Sequence, residues 1–295
     1  MILSQIKKVI PDSTRGKGQL AALTGVFLLS FDSVFVRLSG VGGFDTNFLF
    51  GLFSAISMGV FIQITSPKGL WGTLKENGWP GLVSGLLILC SASSFVLSVK
   101  HTAVANTVII ISSRPVVTAV ISWIILKEKA NKSFWITVFV VFIGISIVVA
   151  GSLDKGGLFG DCLAVFSVIS LGVNGTLWRK YKNINRMGIV GLGGFFIALV
   201  MFVPAHPASY SLKTWLIMAA MGLASAPIGR VLNATSTRYI PASETSMFSL
   251  INVVLAPAWA FLFFSEKPPV QTLIGGGIIL TSIVVYLVVT ARKKV

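Results

Sequence analysis

The sequence predicts an all-α integral membrane protein with ten transmembrane helices, arranged as two inverted five-helix repeats. Three observations lead to this fold class: the apolar composition, the length of the apolar runs, and the distribution of positive charge between them. Of the 295 residues, 54% are hydrophobic and 11% are charged, whereas about 25% are charged in an average soluble domain. The composition therefore excludes a soluble globular protein and favours a chain whose solvent is lipid.

Apolar runs close to 20 residues long recur along the whole chain, and about 20 residues of helix cross the roughly 30 Å hydrocarbon core of a bilayer. Because these runs are apolar all round, they predict helices and not barrel strands, which alternate apolar and polar residues. We adopt a count of ten, with nine and eleven as alternatives. The predicted spans lie near 19–39, 46–65, 80–99, 103–126, 134–151, 157–178, 188–205, 212–235, 243–264 and 270–290.

Positive charge is distributed unevenly between the two sides that ten spans define. Eighteen of the 24 lysines and arginines, Arg230 among them, lie on the side of the N-terminus and four on the other, while Arg37 and Arg114 fall inside spans. Cytoplasmic segments are enriched in Lys and Arg. The count predicts a multi-pass protein of the cell (inner) membrane with cytoplasmic tails at 1–18 and 291–295, and it explains the net charge without nucleic acid.

The two halves of the chain, 19–151 and 157–290, hold five predicted spans each. Residues 98–129 align without gaps on residues 236–267. Because five is odd, the second copy crosses the membrane upside down relative to the first. Inverted repeats are typical of secondary transporters, whose substrate sites lie between the repeats near the midplane. The equivalent residues are Asn106 with Glu244, Arg114 with Asn252 and, from the first and sixth spans, Asp32 with Asn174 and Arg37 with Arg179.

One pattern recurs in both halves: a short polar stretch opens an apolar helix, a proline lies within the helix, and an acidic residue closes it. The matching residues are 101–106, Pro115 and Glu128 in the first half, and 239–244, Pro257 and Glu266 in the second. The pattern resembles that of the drug/metabolite transporter superfamily, specifically of proteins with two EamA domains. The resemblance implies a ten-helix transporter of small metabolites, often an exporter, that uses neither a cofactor nor ATP hydrolysis.

Arg114 constrains the function more than any other residue. It lies about eleven residues into the fourth span, which at 1.5 Å per residue is about 16 Å deep, in the middle of the bilayer. A cation at that depth is costly, so it faces either an aqueous cavity or a fixed partner. In the first case the guanidinium binds a substrate carboxylate or phosphate by paired hydrogen bonds. In the second it forms a permanent ion pair, for which Asp32 is the best candidate.

Asp32 lies equally deep, about thirteen residues into the first span. It is either a proton-coupling carboxylate or only the partner of Arg114. For the remaining candidates, helix capping, helix–helix bonding or interface anchoring is an alternative to substrate contact. These further candidates are Asn106, Asn174, Glu244, Asn252, Trp123 and Trp259 for substrate binding, with Pro115 and Pro257 as hinges.

These observations predict a secondary transporter of a small anionic or zwitterionic metabolite such as an amino acid, working by alternating access, and the family resemblance implies that it is an exporter. An alternative is a proton-coupled exporter of cationic drugs, which requires an acid in the cavity that is free of Arg114. A less favoured alternative is an intramembrane enzyme, which needs a Ser and a His within the bilayer, whereas His101 and His206 lie at or near span ends. The expected partners are the bilayer and a small-molecule substrate, with protons left open.

Overall fold

The computed structural model describes residues 14–127, 132–151, 157–181, 183–236, 239, 248–249 and 251–292, and helices dominate these ranges. We number their principal α-helices in chain order. They are α1 Thr14–Ser30, α2 Asp32–Leu38, α3 Gly43–Thr65, α4 Gly69–His101, α5 Val104–Ser112, α6 Arg114–Leu126, α7 Lys132–Ala150, α8 Leu158–Lys180, α9 Arg186–Phe202, α10 Leu212–Ala219, α11 Ala226–Ser236, α12 Asn252–Phe264 and α13 Val270–Arg292.

The helices supply ten apolar segments at the ten predicted positions, which we call spans 1 to 10. Spans 1, 2, 3, 6 and 8 are long and apolar enough to cross a bilayer, and the bent pair α5 and α6 makes span 4. Spans 5, 7, 9 and 10 are shorter apolar helices. Span 1 comprises α1 and α2, and span 8 comprises α10 and α11 joined by a π-helical turn. The predicted all-α membrane fold is confirmed.

Span 3 begins earlier than predicted. Its helix starts at Gly69, and the backbone of Gly78 is non-helical, with φ 53°, directly before Trp79 and Pro80. Glycine adopts positive φ without steric cost, and proline cannot continue the hydrogen-bond ladder, so the helix bends at this point. Trp71 and Trp79 are largely exposed. Because aromatic rings are enriched at membrane–water interfaces, the first turns of this helix are suited to the interface and not to the hydrocarbon core.

Packing between the spans follows the symmetry of an inverted repeat. Span 3 packs against spans 6 and 7, and span 8 packs in the equivalent way against spans 1 and 2. Spans 2 and 7, 4 and 9, and 5 and 10 each pack on their own counterparts. Every one of these interfaces therefore maps onto itself or onto another when the halves are exchanged, as an inverted duplication requires.

The backbone of spans 4 and 9 shows the same relation residue by residue. Arg114 is the first residue of α6 and Asn252 is the first residue of α12. These helices end at Lys127 and Ser265, the two described non-glycine residues with positive φ, 52° and 54°. The alignment of 98–129 on 236–267 likewise pairs Arg114 with Asn252 and Lys127 with Ser265. The register of the predicted repeat is thus confirmed by independent backbone features.

Candidate functional site

Arg114 lies where span 4 bends by 41° between α5 and α6. Its side chain is exposed. Charged side chains in membrane spans nearly always face the bundle interior or a water-filled cavity, so an exposed guanidinium at this position is expected to line an accessible space. The ion pairs found among the described residues do not include Arg114.

The bend at Arg114 has a local cause. Pro115 has no N–H to donate, and its ring disfavours a continuous helix through the preceding residue. The buried Ser113 ends α5, and its Oγ donates to the carbonyl oxygen of Ile110 at 2.6 Å. In span 9 the equivalent break falls directly before Asn252, whereas Pro257 lies inside α12, which continues through it. The helix thus passes through Pro257 without an interruption, and the hinge at Pro257 stays a prediction.

Asp32 is the first residue of α2, directly after a break in span 1 at Phe31. The residue is 8% exposed, and its Oδ2 lies 3.9 Å from Nη2 of Arg230. Among the described residues, Asp32 Oδ1 and the hydroxyl of Ser33 have no hydrogen-bond partner. The suggested pairing of Asp32 with Arg114 is not what the structure shows, because the cation opposite Asp32 is Arg230.

Arg230 is a site residue that sequence reasoning missed, since it was counted among the cytoplasmic cations. The helix α11 continues to Ser236, and the guanidinium of Arg230 lies 4.9 Å from the centre of the Phe50 ring and close to Asp32. Side chains on a helix incline toward its N-terminus, which turns Arg230 away from the helix end and into the bundle. The signal available in the sequence was the position of Arg230 inside the predicted span 212–235.

Spans 1 and 8 approach each other closely beside this pair. A Cβ atom on Gly25 would lie 2.9 Å from the carbonyl oxygen of Gly229, and the reverse substitution would be equally crowded. Small residues permit such contact between membrane helices. In addition, Ser225 Oγ donates to the carbonyl oxygen of Leu28 at 3.0 Å. The close contact brings Arg230 of span 8 within reach of Asp32 of span 1.

Asn174, the equivalent of Asp32 in the second repeat, is fully engaged in helix packing. It is 3% exposed, and its Oδ1 accepts a hydrogen bond from the hydroxyl of Ser84. The same hydroxyl accepts from Nε1 of Trp178 at 2.7 Å. These bonds join span 6 to span 3 and correspond to the alternative role, helix–helix bonding, that the sequence left open for Asn174.

Asn106 belongs to a buried polar cluster that joins spans 4, 6 and 10. Its Nδ2 lies 3.4 Å from Oδ1 of Asp161, and its Oδ1 accepts from the hydroxyl of Thr272. Asp161 is fully buried and also accepts from Oγ1 of Thr102 at 2.8 Å. Sequence reasoning missed Asp161, although it is an acidic residue inside a predicted span and therefore carried the same signal as Asp32.

Arg37 connects the two repeats at one end of the bundle, which we call the Arg37 end. Its Nη2 donates to the carbonyl oxygen of Thr102 at 3.0 Å and lies 3.3 Å from Oε2 of Glu266. The other carboxylate oxygen of Glu266 accepts from the backbone N–H of Val104 at 2.8 Å. These polar contacts join span 1, the start of span 4 and the end of span 9 at this end.

The remaining predicted residues differ in their surroundings. Trp259 stacks on Phe31 with ring centres 4.6 Å apart, and its Nε1 donates to Ser30 Oγ at 2.9 Å, so it packs against the break in span 1. Trp123 is 41% exposed and packs edge-on against Trp135. The Oδ1 of Asn252 is buried without a hydrogen-bond partner among the described residues. Glu244 lies outside the residues that the structure describes.

Two grooves lie at the surface of the bundle, away from the candidate site residues. One, of about 590 Å³, lies between spans 2 and 7 and is lined by apolar side chains only. The other, of about 540 Å³, lies beside Trp79 and Tyr181. Neither is lined by Arg114, Asp32 or Arg230. The first is suited to lipid chains, so the charged interior and these surface grooves are distinct features.

Ten apolar spans in an inverted duplication, with an intramembrane arginine, Arg114, at the break in span 4, define a membrane transporter of the inverted-repeat class. The chain belongs to the EamA-like transporter family, which matches residues 16–150 and 158–288. Each matched range contains five spans. The protein is therefore a multi-pass membrane transporter of the drug/metabolite type and not an enzyme.

Similar proteins carry transporter names. An uncharacterized transporter of Bacillus subtilis, YyaM, is 24% identical over 70% of this chain and 72% of its own length. The pseudopaline exporter CntI of Pseudomonas aeruginosa is 22% identical over 75% of this chain and 78% of its own. An uncharacterized transporter of Archaeoglobus fulgidus is 23% identical over 75% and 80%. One crystal structure matches 94% of this chain and 99% of its own with a TM-score of 0.64 at 14% identity, which supports the fold alone.

Proposed function

We propose that the protein is a secondary transporter that exports a small anionic or zwitterionic metabolite by alternating access, with Arg114 binding an anionic group of the substrate. One observation carries this proposal: Arg114 is a cation with an exposed side chain at the helix break in the middle of span 4. A guanidinium presents two parallel N–H donors to a carboxylate or phosphate, and these charge-assisted bonds are the strong ones. An amino acid is the simplest substrate that meets this requirement.

The charge distribution supports an orientation in the cell membrane. The excess of Lys and Arg on the side of the N-terminus favours cytoplasmic termini, and with that orientation the Arg37 end faces outward. The similarity to a protein named as a pseudopaline exporter supports export as the direction. On this proposal, substrate enters from the cytoplasm and leaves at the Arg37 end.

Alternating access requires the Arg37 end to open. The ion pair of Arg37 with Glu266 and the contact of Asn106 with Asp161 connect elements of both repeats, so the outward-open state has to break them. The helix break before Arg114 divides span 4 into α5 and α6, which can move separately. Broken helices at the midplane are the usual construction of such sites.

The alternative of a proton-coupled exporter of cationic drugs needs an acidic residue that is free to bind a cation. Asp32 is free of Arg114, which on its own would favour the alternative, but Arg230 lies opposite it. A cationic drug would approach Asp32 against the charge of Arg230. For this reason the anionic or zwitterionic substrate is the function that the site supports better.

The proposal is tested by transport into liposomes that contain the purified protein, using labelled amino acids, carboxylates and cationic drugs with and without a pH gradient. We expect Arg114→Ala to lower the transport of an anionic or zwitterionic substrate by about tenfold to a hundredfold, the worth of a lost hydrogen bond to a charged group. Arg114→Lys should fall in between, because it keeps the charge but loses the fork geometry.

A matched control is Lys213→Ala, which removes an exposed cation and should leave transport unchanged. Equal rates for Arg114→Ala and the unaltered protein would contradict the proposal. Transport of cationic drugs, driven by a pH gradient and abolished by Asp32→Asn, would favour the alternative instead.

A further inference from the structure

We infer that Asp32 and Arg230 form a subsite for the zwitterionic head group of the substrate, in which Asp32 binds the ammonium group and Arg230 binds the carboxylate. This inference rests on the proposed transport function and specifies its substrate class. Asp32 lies in the first repeat and Arg230 in the second, so the subsite falls between the repeats, where transporters of this construction bind their substrates.

The first argument is the looseness of the ion pair. The nearest atoms, Asp32 Oδ2 and Arg230 Nη2, are 3.9 Å apart, which exceeds the 2.7–3.2 Å typical of an N–H···O hydrogen bond. Carboxylate–guanidinium pairs that hold a structure together are shorter and frequently bidentate. In this pair the Oδ1 of Asp32 also has no partner among the described residues. Both groups therefore keep hydrogen-bonding capacity that a ligand can use.

The second argument is the surroundings of the pair. Asp32 is more than nine-tenths buried, and Ser33 beside it is 3% exposed, with a hydroxyl that likewise has no partner among the described residues. Buried polar atoms are bonded in nearly all proteins, and each exception calls for an explanation. The side chain of Arg230 is 31% exposed. The subsite thus combines a buried acceptor with a reachable donor.

Phe50 positions the guanidinium of Arg230. The ring centre lies 4.9 Å from the guanidinium carbon, within the range of a cation–π interaction. A ring over the face of a guanidinium leaves the N–H groups at its edge free to point at an acceptor. Phe50 therefore holds the donors of Arg230 in place without using them.

Electrostatics then select among substrates. In the low-dielectric interior, a like charge brought close to Asp32 or to Arg230 is strongly unfavourable. A lone carboxylate that approaches Arg230 also meets Asp32, and a lone amine that approaches Asp32 also meets Arg230. A zwitterion supplies each group with its opposite and leaves the subsite neutral before and after binding. Discrimination against both single-charge analogues follows from the pair itself.

The test deletes one charge of the ligand at a time. Leucine is compared with 4-methylpentanoate, which lacks the amine, and with 3-methylbutylamine, which lacks the carboxylate. Glutamate is compared in the same way with glutarate, which lacks the amine. Each compound is assayed with the unaltered, purified protein in two ways. Binding is measured from the ligand concentration that raises the unfolding temperature of the protein, and transport is measured in liposomes. We expect each analogue to bind at least tenfold more weakly than its parent amino acid.

Two variants assign the charges to residues. Asp32→Asn should remove the preference for leucine over 4-methylpentanoate, and Arg230→Gln should remove the preference for leucine over 3-methylbutylamine. The double variant keeps the interior neutral and should lose both preferences while it still elutes as a folded protein in size-exclusion chromatography. The control Lys213→Ala should retain both preferences.

The possible outcomes separate this inference from the proposed function. If 4-methylpentanoate binds the unaltered protein as well as leucine does, or if the double variant keeps a tenfold preference for the zwitterion, the subsite is wrong while transport of anions through Arg114 stands. If Arg114→Ala transports leucine and glutamate at the unaltered rate but the Asp32 and Arg230 variants lose their preferences, the proposed role of Arg114 fails and the subsite stands. If neither amino acids nor carboxylates bind or move, both are wrong.

Discussion

The interface of spans 1 and 8 and the interface of spans 6 and 3 are equivalent under the inverted repeat, yet they differ in polarity. In the second, Asn174 is bonded to Ser84, which in turn accepts from Trp178. In the first, Asp32 faces Arg230 at 3.9 Å and keeps an oxygen without a partner among the described residues. One copy of this interface has satisfied its polar groups in packing, whereas the other retains charges that are only loosely paired.

Spans 1 and 6, which are equivalent in the two repeats, also differ in the regularity of their backbone. Span 6 is a continuous helix over Leu158–Lys180, whereas span 1 is interrupted at Phe31, directly before Asp32. Interrupted helices are tolerated inside membrane proteins where they are buried in protein or line a cavity. Sequence duplication therefore produced two interfaces with the same geometry, and divergence made one a structural contact and the other a candidate binding site.

Of the substitutions that test this comparison, Arg230→Ala should have the largest effect on the free energy of unfolding. The change leaves the carboxylate of Asp32 buried without its cation, and removing one partner of a buried pair costs about 3–5 kcal/mol. Because about a third of the Arg230 side chain is accessible, we expect a loss of about 2 kcal/mol. The matched change, Ser84→Ala, should cost about 1 kcal/mol, since it removes only neutral hydrogen bonds.

Both variants are compared by thermal unfolding in detergent and by transport in liposomes. Arg230→Ala should lose transport as well as stability, and Ser84→Ala should lose stability alone. If Ser84→Ala abolished transport to the same extent while remaining folded, the two interfaces would be functionally equivalent, and the comparison would fail.

A smaller effect is expected at the Arg37 end, where spans 1, 4 and 9 meet. Glu266→Gln keeps an oxygen for the N–H of Val104 but removes the charge opposite Arg37. For a partly exposed pair this is worth about 1 kcal/mol, or about fivefold in a local opening equilibrium. Hydrogen exchange of the amides at 102–107 should quicken by that factor.

The control for this prediction is Glu76→Gln, which breaks the exposed ion pair with Lys68. This pair lies near the start of span 3, whereas the Arg37 end adjoins the end of that span. The control substitution should leave exchange at 102–107 unchanged. An unaltered exchange rate in Glu266→Gln would mean that the ion pair does not hold this end closed.

The smallest expected effects distinguish two tryptophans that both donate to a serine hydroxyl. Trp178→Phe removes the bond to Ser84, and Trp259→Phe removes the bond to Ser30 beside the break in span 1. Each should cost about 1 kcal/mol of stability. Only Trp259→Phe should also slow transport, because Trp259 packs against the segment that carries Asp32. Slower transport in Trp178→Phe, measured in the same liposomes, would contradict this difference.

Properties that depend on the local chain were predictable. The ten spans follow from the length of apolar runs, and the register of the repeat follows from residues such as Arg114 and Asn252, which begin equivalent helices. The depth of Arg114 follows from counting along one helix. Each of these needs only neighbouring residues and the thickness of the bilayer, so the sequence alone determined the membrane fold and the presence of an intramembrane cation.

The pairing of charges depended on the tertiary structure. Asp32 and Arg230 are almost 200 residues apart in the chain, and they meet because Gly25 and Gly229 let spans 1 and 8 touch. Hydropathy records how deep a residue lies but not which way it points around its helix or which helix lies beside it. Packing settles both, since it depends on the shapes of surfaces distant in sequence, and packing therefore decided that Arg230, and not Arg114, faces Asp32.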